Sequence, residues 1–261
     1  IVGTAMSKCS LAGAPISQRY KVPMITPTST NPKVTEVGDY IFRACFIDPF
    51  QGTVGAKFAY ENLNARKAGV IFDVGNDYTK GLAEFFRDKF TELGGTVVAF
   101  EAHPTGTTDF KAQLTKIISN KPDVIYIPDY YNDAGLIAKQ ARELGFNGPL
   151  VGGDGWDSPD LFKIGGTAIE NGFFTNHFSK DDPRPIVQEF VKKYQEKYNK
   201  VPDAFAALAY DSMYILLDAI KRAGSTDPEK MKQALMETNI NVVSGLITFD
   251  KNRNPVKPAV I

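Results

Sequence analysis

Apolar runs three to seven residues long alternate with stretches whose apolar residues recur every three or four positions. The runs at 40–44, 68–74, 96–100, 124–127, 150–152, 172–174, 246–249 and 256–261 predict strands. The amphipathic stretches near 10–19, 50–65, 78–93, 109–119, 133–144, 184–198, 204–223 and 228–237 predict helices. In one of these, Leu82, Phe85, Phe86, Phe90 and Leu93 form a single apolar face, and Gly94-Gly95 then ends the helix. The runs at 68–74 and 124–127 are almost wholly apolar, the pattern of strands buried on both faces of a parallel sheet. Regular βα alternation predicts an α/β protein with helices covering parallel sheets. The rhythm breaks after Asn176, where helices follow one another until Leu246. Two α/β lobes account for that break, with crossovers expected near 48–50, 176–183 and 239–244. The expected lobes are therefore 1–48 with 179–243, and 49–178 with 244–261.

Composition narrows the class without naming a function. Of 261 residues, 43% are hydrophobic and 23% charged, which fits a globular chain able to bury a core. Thirty basic residues balance thirty acidic ones, so nothing favours nucleic acid or an anionic membrane as partner. No apolar run approaches the roughly 20 residues of a membrane span. Cys9 and Cys45 are too few for a disulfide framework and lack metal or redox spacing; whether they pair is left open. The opening Ile1-Val2-Gly3-Thr4 reads as the tail of a strand already under way, so an N-terminal portion is expected to precede it.

The chemistry concentrates at predicted strand ends, where ligands of open parallel sheets bind. After the short strand ending at Ile25 comes Thr26-Pro27-Thr28-Ser29-Thr30, in which four of five residues carry a hydroxyl. Such a cluster either satisfies its own turn or offers neutral donors to an anion. Ser7 precedes a predicted helix, as an N-cap does, but a helix N-terminus is also a ready anion site. Ser7 and Thr30 together suit a carboxylate. Asp154 lies between Gly153 and Gly155 at another strand end, with Trp156 two residues on. It either turns a loop or binds an organic cation, with the glycines leaving space and the indole adding cation–π attraction. Tyr78 and Tyr130 follow two further strands and read as amphipathic walls or as packing residues, and Phe205 opens a helix. Hydroxyls at one end and a carboxylate at the other suit a zwitterion, of which a free amino acid is the simplest.

Enzyme signatures are missing: the sequence contains no G-x-S-x-G, P-loop, H-E-x-x-H, or G-x-G-x-x-G opening a βα unit. His103 and His177 stand outside any recognisable constellation and read as surface or packing residues, and Asp129 and Asp133 as helix-start charges. No catalytic residue, cofactor or metal ligand is assigned.

The segments MITPTSTNPKVT, YIFRACFIDPFQG, VIFDVGNDYTKGLAEFF, GGDGWDSPDL and PDAFAALAYDSMYILLDAI, in this order, resemble the branched-chain amino-acid (leucine/isoleucine/valine) substrate-binding proteins of bacterial ABC transporters. The resemblance covers the whole chain and implies a type I periplasmic binding fold: two Rossmann-like lobes with parallel sheets joined by a three-strand hinge. Such proteins begin with about two further βα units, on the order of 60 residues, so the first lobe is expected to be incomplete. The resemblance implies a non-catalytic receptor that closes by hinge rotation on a free L-amino acid, branched-chain or otherwise aliphatic. It implies delivery to ABC permease subunits on the periplasmic or outer face of a bacterial membrane, with contact to the membrane only through the permease or a lipid anchor. Ser7 and Thr30, with backbone at Thr28, fall where the family holds the ligand carboxylate. Asp154 falls at its ammonium acceptor, and Tyr78, Tyr130 and Phe205 at its aromatic walls. Asp154 is shorter than the glutamate of some members. An amino-acid or amide sensing domain of the same fold remains the alternative.

Overall fold

The computed structural model describes residues 1–261. They divide into two compact units, Ile1–Ile47 with His177–Val260, and Asp48–Asn176, with Ile261 grouping with the second.

The first unit opens on an extended segment at residues 1–3. Helix α1 (Ser7–Arg19) follows, then β1 (Met24–Thr26), the short α2 (Lys33–Glu36) and β2 (Ile41–Arg43). Strands β1 and β2 pair in parallel from Met24↔Ile41 to Thr26↔Arg43, and Val2 bridges Ile25 on the other side, also in parallel. All six residues of the two strands are buried. Burial on both faces explains why their sequences do not alternate.

The second unit runs through α3 (Asp48–Lys57), which continues as a π-helical turn over Phe58–Asn62. Then come β3 (Lys67–Asp73), α4 (Asp77–Glu92), β4 (Thr96–His103), α5 (Lys111–Ser119), β5 (Val124–Ile127), α6 (Tyr131–Glu143), β6 (Leu150–Gly152), α7 (Pro159–Gly165) and β7 (Gly172–Phe174). Its five strands form one parallel sheet in the order β4-β3-β5-β6-β7. One core packs Ile71, Ile125 and Ile127 against α5 and α6; the other packs Val70, Phe72 and Tyr126 against α3 and α4. The order reverses direction between β3 and β5. Connections leaving these two strands therefore diverge, and a crevice opens at their C-terminal ends.

The chain then returns to the first unit as α8 (Pro185–Tyr198), α9 (Ala204–Ala223), α10 (Pro228–Met236), β8 (Asn239–Val242) and β9 (Gly245–Thr248). Asp203 caps α9 by accepting the Ala206 N–H, and Gly224 closes it in the left-handed region.

Two expectations need correcting. Residues 244–260 stay with the first unit instead of crossing to the second, and only Ile261 groups across. The reason is local: β8 turns straight into an antiparallel ladder with β9, from Asn239↔Thr248 to Val242↔Gly245. Asp211 of α9 accepts the Val243 and Ser244 N–H groups, fixing that turn to the first unit. The expected strand at 256–261 is instead an irregular strap held by polar side chains. Arg253 donates to the Ile41 and Thr35 carbonyls, and Lys257 Nζ to Ser244 Oγ at 2.6 Å. Its apolar residues imitate a strand, but Pro255 and Pro258 remove ladder donors. Cys9 is exposed, Cys45 is buried, and they form no disulfide.

Candidate functional site

The first unit carries the hydroxyl cluster at the end of β1. Most of those hydroxyls are spent locally. Thr26 Oγ1 donates to the Thr4 carbonyl and Thr28 Oγ1 to that of Ala5. Ser29 Oγ lies 2.7 Å from Ser10 Oγ and also reaches the Thr4 and Ala5 carbonyls. For these three residues the turn-satisfying reading holds. Thr30 differs: it is fully buried, and its Oγ1 has no hydrogen-bond partner. A buried hydroxyl without a partner costs about 1–3 kcal/mol. Such a group needs an explanation, and a bound molecule is one.

Ser7 stands at the first turn of α1, buried, with its Oγ accepting the Asn31 N–H at 3.2 Å. It thus ties the N-terminus of α1 to the turn that holds Thr30. The preceding residue, Met6, supplies no side-chain cap, and the first turn contains no acidic residue. This end of α1 therefore keeps the amide donors and partial positive charge that favour an anion.

Behind the turn lies Arg43, fully buried on β2. Its guanidinium donates to the carbonyls of Ser29 (2.6 Å), Asn31 (2.9 Å) and Pro32 (3.3 Å) and to Thr35 Oγ1 (3.1 Å). The first two of these bracket Thr30. Sequence reasoning missed Arg43, although a lone charge within Ile41-Phe42-Arg43-Ala44-Cys45 was the signal: a cation in a buried strand must find acceptors. Phe205, at the start of α9, is half-buried. A cleft of this unit lies elsewhere, between α8, α9 and β8, lined by Phe190, Tyr210, Tyr214 and Val242.

The second unit brings Tyr78, Tyr130 and Asp154 together at the crevice edge of its sheet. Tyr78 Oη donates to Asp154 Oδ1 at 2.8 Å and accepts the Gly155 N–H at 3.1 Å. The rings of Tyr78 and Tyr130 lie 5.0 Å apart. Gln51 of α3 completes the frame: its Oε1 accepts the Asp154 N–H at 2.8 Å and the Thr175 hydroxyl at 2.7 Å. Burial, and then the Asp154 charge, holds the Tyr78 phenol well above its ordinary value, so it remains a donor.

The space expected beside the two glycines that flank Asp154 is taken by these side chains. A Cβ at Gly153 would lie 2.6 Å from Tyr78 Oη, and one at Gly155 3.0 Å from Tyr130 Cδ1. The glycines serve close packing around the carboxylate.

Trp156 is a second correction. It is 1% exposed and belongs to the core with Ile127, Leu161 and Ile169, and its Nε1 donates to the Ile127 carbonyl at 2.9 Å. The Asp154–Trp156 stretch is a 3-10 turn, which sends these two side chains apart. The indole packs in the core and has no cation–π role here.

The two histidines take the packing alternative, Asp133 stands in the first turn of α6 as expected, and Asp129 is the acid that differs from expectation. His103 is no surface residue: it ends β4, 1% exposed, with Nε2 3.4 Å from Asp129 Oδ2. Asp129 is fully buried, and its Oδ1 accepts the Asp73 N–H at 2.9 Å. His177 stacks on Phe46 with centroids 3.5 Å apart. Asp73, His103, Asp129 and Asp154 all lie at or just past strand C-termini. The sequence reading used that shared position for Asp154 and did not extend it to Asp73, His103 and Asp129.

Parallel α/β units with polar clusters at the carboxyl ends of their strands define a small-molecule-binding protein of the open-sheet class. The chain belongs to the periplasmic binding protein family, whose model matches residues 1–261. It is 31% identical to Leu/Ile/Val-binding protein homolog 1 of Brucella suis over 265 residues, spanning all of this chain and 70% of that protein. Among solved structures it is similar to the leucine-binding protein LivK of Thermotoga maritima, at 48% identity and a TM-score of 0.95, covering 99% of this chain and 74% of that one. It is also similar to the branched-chain amino-acid transporter substrate-binding protein LivJ of Streptococcus pneumoniae, solved with isoleucine. There the identity is 36% and the TM-score 0.93, again over 99% of this chain and 74% of the other. The α/β architecture with parallel sheets is thus that of type I periplasmic binding proteins. This is a family of solute receptors, and no helix of the chain is long and apolar enough to cross a membrane.

Proposed function

We propose that the chain is a non-catalytic receptor for a free L-amino acid with an aliphatic side chain, leucine, isoleucine or valine, which it hands to an ABC permease outside the cytoplasm. The observation that carries this reading is the orphaned Thr30 hydroxyl beside the uncapped N-terminus of α1. Thr30 Oγ1, Ser7 and the backbone at Thr28 take the carboxylate, with Arg43 supplying positive charge from behind. Asp154 takes the ammonium group, held in place by Tyr78 and by the Gln51 contact to its backbone. Tyr78, Tyr130 and Phe205 cover the aliphatic part. In this reading the hydroxyls act as hydrogen-bond donors to the carboxylate. The names of the relatives, which bind leucine, isoleucine or valine, support the choice of ligand.

Titration calorimetry with L-leucine, L-isoleucine and L-valine tests the proposal. Saturable one-to-one binding is expected, together with a rise in melting temperature that grows with ligand concentration. Neither heat nor thermal shift with any of the three would overturn it.

A further inference from the structure

His103 sits opposite Asp73 in the β3–β4 register, with its ring edge-on to Phe110, the residue before α5, at 4.8 Å. Its Nδ1 lies 3.1 Å from the Pro104 carbonyl oxygen. A carbonyl only accepts, so Nδ1 carries a proton. A neutral imidazole would then turn the lone pair of Nε2 toward the Asp129 carboxylate, two acceptors face to face. The arrangement requires one more proton between them, on Nε2 or on Oδ2.

The same pair holds the frame of the tyrosine wall. Asp129 Oδ1 anchors the end of β3 through the Asp73 N–H. The Asp73 carboxylate accepts the Thr105 hydroxyl and the Gly75 N–H (2.8 Å), and its carbonyl accepts the Thr79 hydroxyl. These bonds shape the turn in which Asn76 caps α4 on the Tyr78 N–H at 3.1 Å. On the other side of the crevice, Asp129 is the residue immediately before Tyr130.

We propose that His103 and Asp129 are positioning residues for Tyr78 and Tyr130, and that the proton they share sets ligand affinity, which falls when it leaves. The groups facing the pair are Asp73 from β3, Asp133 from α6, Thr105 from the loop after β4 and the Phe110 ring just before α5. The titratable ones are acids. Burial opposes the charge on His103, but the hydrogen bond and charge of Asp129 outweigh it and raise its pKa. Burial raises Asp129 despite His103, and burial followed by the Asp129 charge raises Asp133 to about 6. Once the shared proton is lost, His103 is neutral amid three carboxylates, and their repulsion strains the bond from Asp73 to Asp129.

The ligand readout of this inference rests on the amino-acid reading above; its structural readout does not. Asp129→Asn is the decisive variant. Its Oδ1 still accepts from Asp73 and its amide donates to a neutral His103, so it fixes the protonated arrangement permanently. L-leucine affinity is measured by calorimetry from pH 6 to 8.5 in wild type and variant, so that titration of the ligand cancels in the comparison. An additional weakening of about fivefold in wild type is expected, the low end of coupling between two sites. Parallel pH profiles overturn the inference. NMR without ligand supplies the second measurement: the Tyr78 and Tyr130 ring signals should follow the His103 titration in wild type and stay still in Asp129→Asn. Tyrosine signals that ignore a titrating His103 sink the proposal, even if leucine binds. Should no amino acid bind, the receptor reading fails and the NMR comparison still decides this one.

Discussion

The two units prepare polarity in opposite ways. The first offers neutral groups, the Thr30 hydroxyl and the N-terminus of α1, and keeps its charge one layer back on Arg43, locked by three carbonyls and a hydroxyl. Guanidinium does not lose its proton in proteins, so this cluster keeps its character over any ordinary pH. The second places its carboxylates forward, at strand ends, and steadies them with a phenol, backbone amides and an imidazole. Among them His103 and Asp129 are both raised, Asp129 by burial and His103 by its contact with Asp129 against burial. A fixed positive background suits an anion that is always charged. A titratable acidic edge can bind a cation and also respond to its surroundings.

The largest expected effect breaks the acidic side. Asp154→Ala should weaken amino-acid binding by about 2–5 kcal/mol, the range for removing one partner of a desolvated charge pair. It also strands the Tyr78 hydroxyl, which now donates to Asp154. Calorimetry returning wild-type affinity would remove Asp154 from the site. On the other side, Arg43→Met should act first on stability. It leaves the Ser29, Asn31 and Pro32 carbonyls buried without their donor, at about 3 kcal/mol in all. Denaturant unfolding with an unchanged midpoint would show that the turn does not need its cation.

Alkaline pH sharpens the contrast, because the two units should answer with opposite signs. His103 is raised in the fold, so its contribution is full below its ordinary value near 6.5 and is lost as pH climbs through the raised one. Lys257, in the first unit, is lowered to about 8 by burial, with Asp211 opposing. Its fold carries the cost of a buried charge below pH 8, and stability is regained as pH rises from about 8 to the unfolded value of 10.5. At 1.36 kcal/mol per unit the gain approaches about 3 kcal/mol. Hydrogen exchange followed separately in β1–β2 and in β3–β5, with Lys257→Met as reference, measures both. Protection moving in the same direction in both units would contradict this assignment of charges.

The sequence showed more of the scaffold than of the chemistry, for identifiable reasons. Strand β5 and helix α9 were legible because each pattern spans a whole element. The turn at 239–248 was not: its course depends on Asp211, some thirty residues away, accepting two backbone amides. Asp154 and Tyr78 were singled out from their place after strands, and the structure brings the two side chains together. Trp156 was misread because a 3-10 turn rotates neighbouring side chains apart, which no spacing rule conveys. Arg43 and His103 were passed over because a charge inside an apolar strand and a histidine at a strand end gain meaning only from partners on other strands.

The smallest effect discriminates most finely. Within one turn, Ser29 and Thr30 carry the same functional group in different circumstances: the Ser29 hydroxyl reaches Ser10 and two carbonyls, while that of Thr30 has no partner. Thr30→Val exchanges the hydroxyl for a methyl of similar size. It removes a buried group whose desolvation nothing offsets, so stability should hold or rise slightly. Binding should weaken by about 1.5–3 kcal/mol, the loss of one hydrogen bond to a charged carboxylate. Ser29→Ala should do the reverse, costing about 1 kcal/mol of stability and leaving affinity nearly unchanged. If both variants lose stability and neither loses affinity, Thr30 is one more hydroxyl serving its own turn, and the anion site of the first unit must be sought elsewhere.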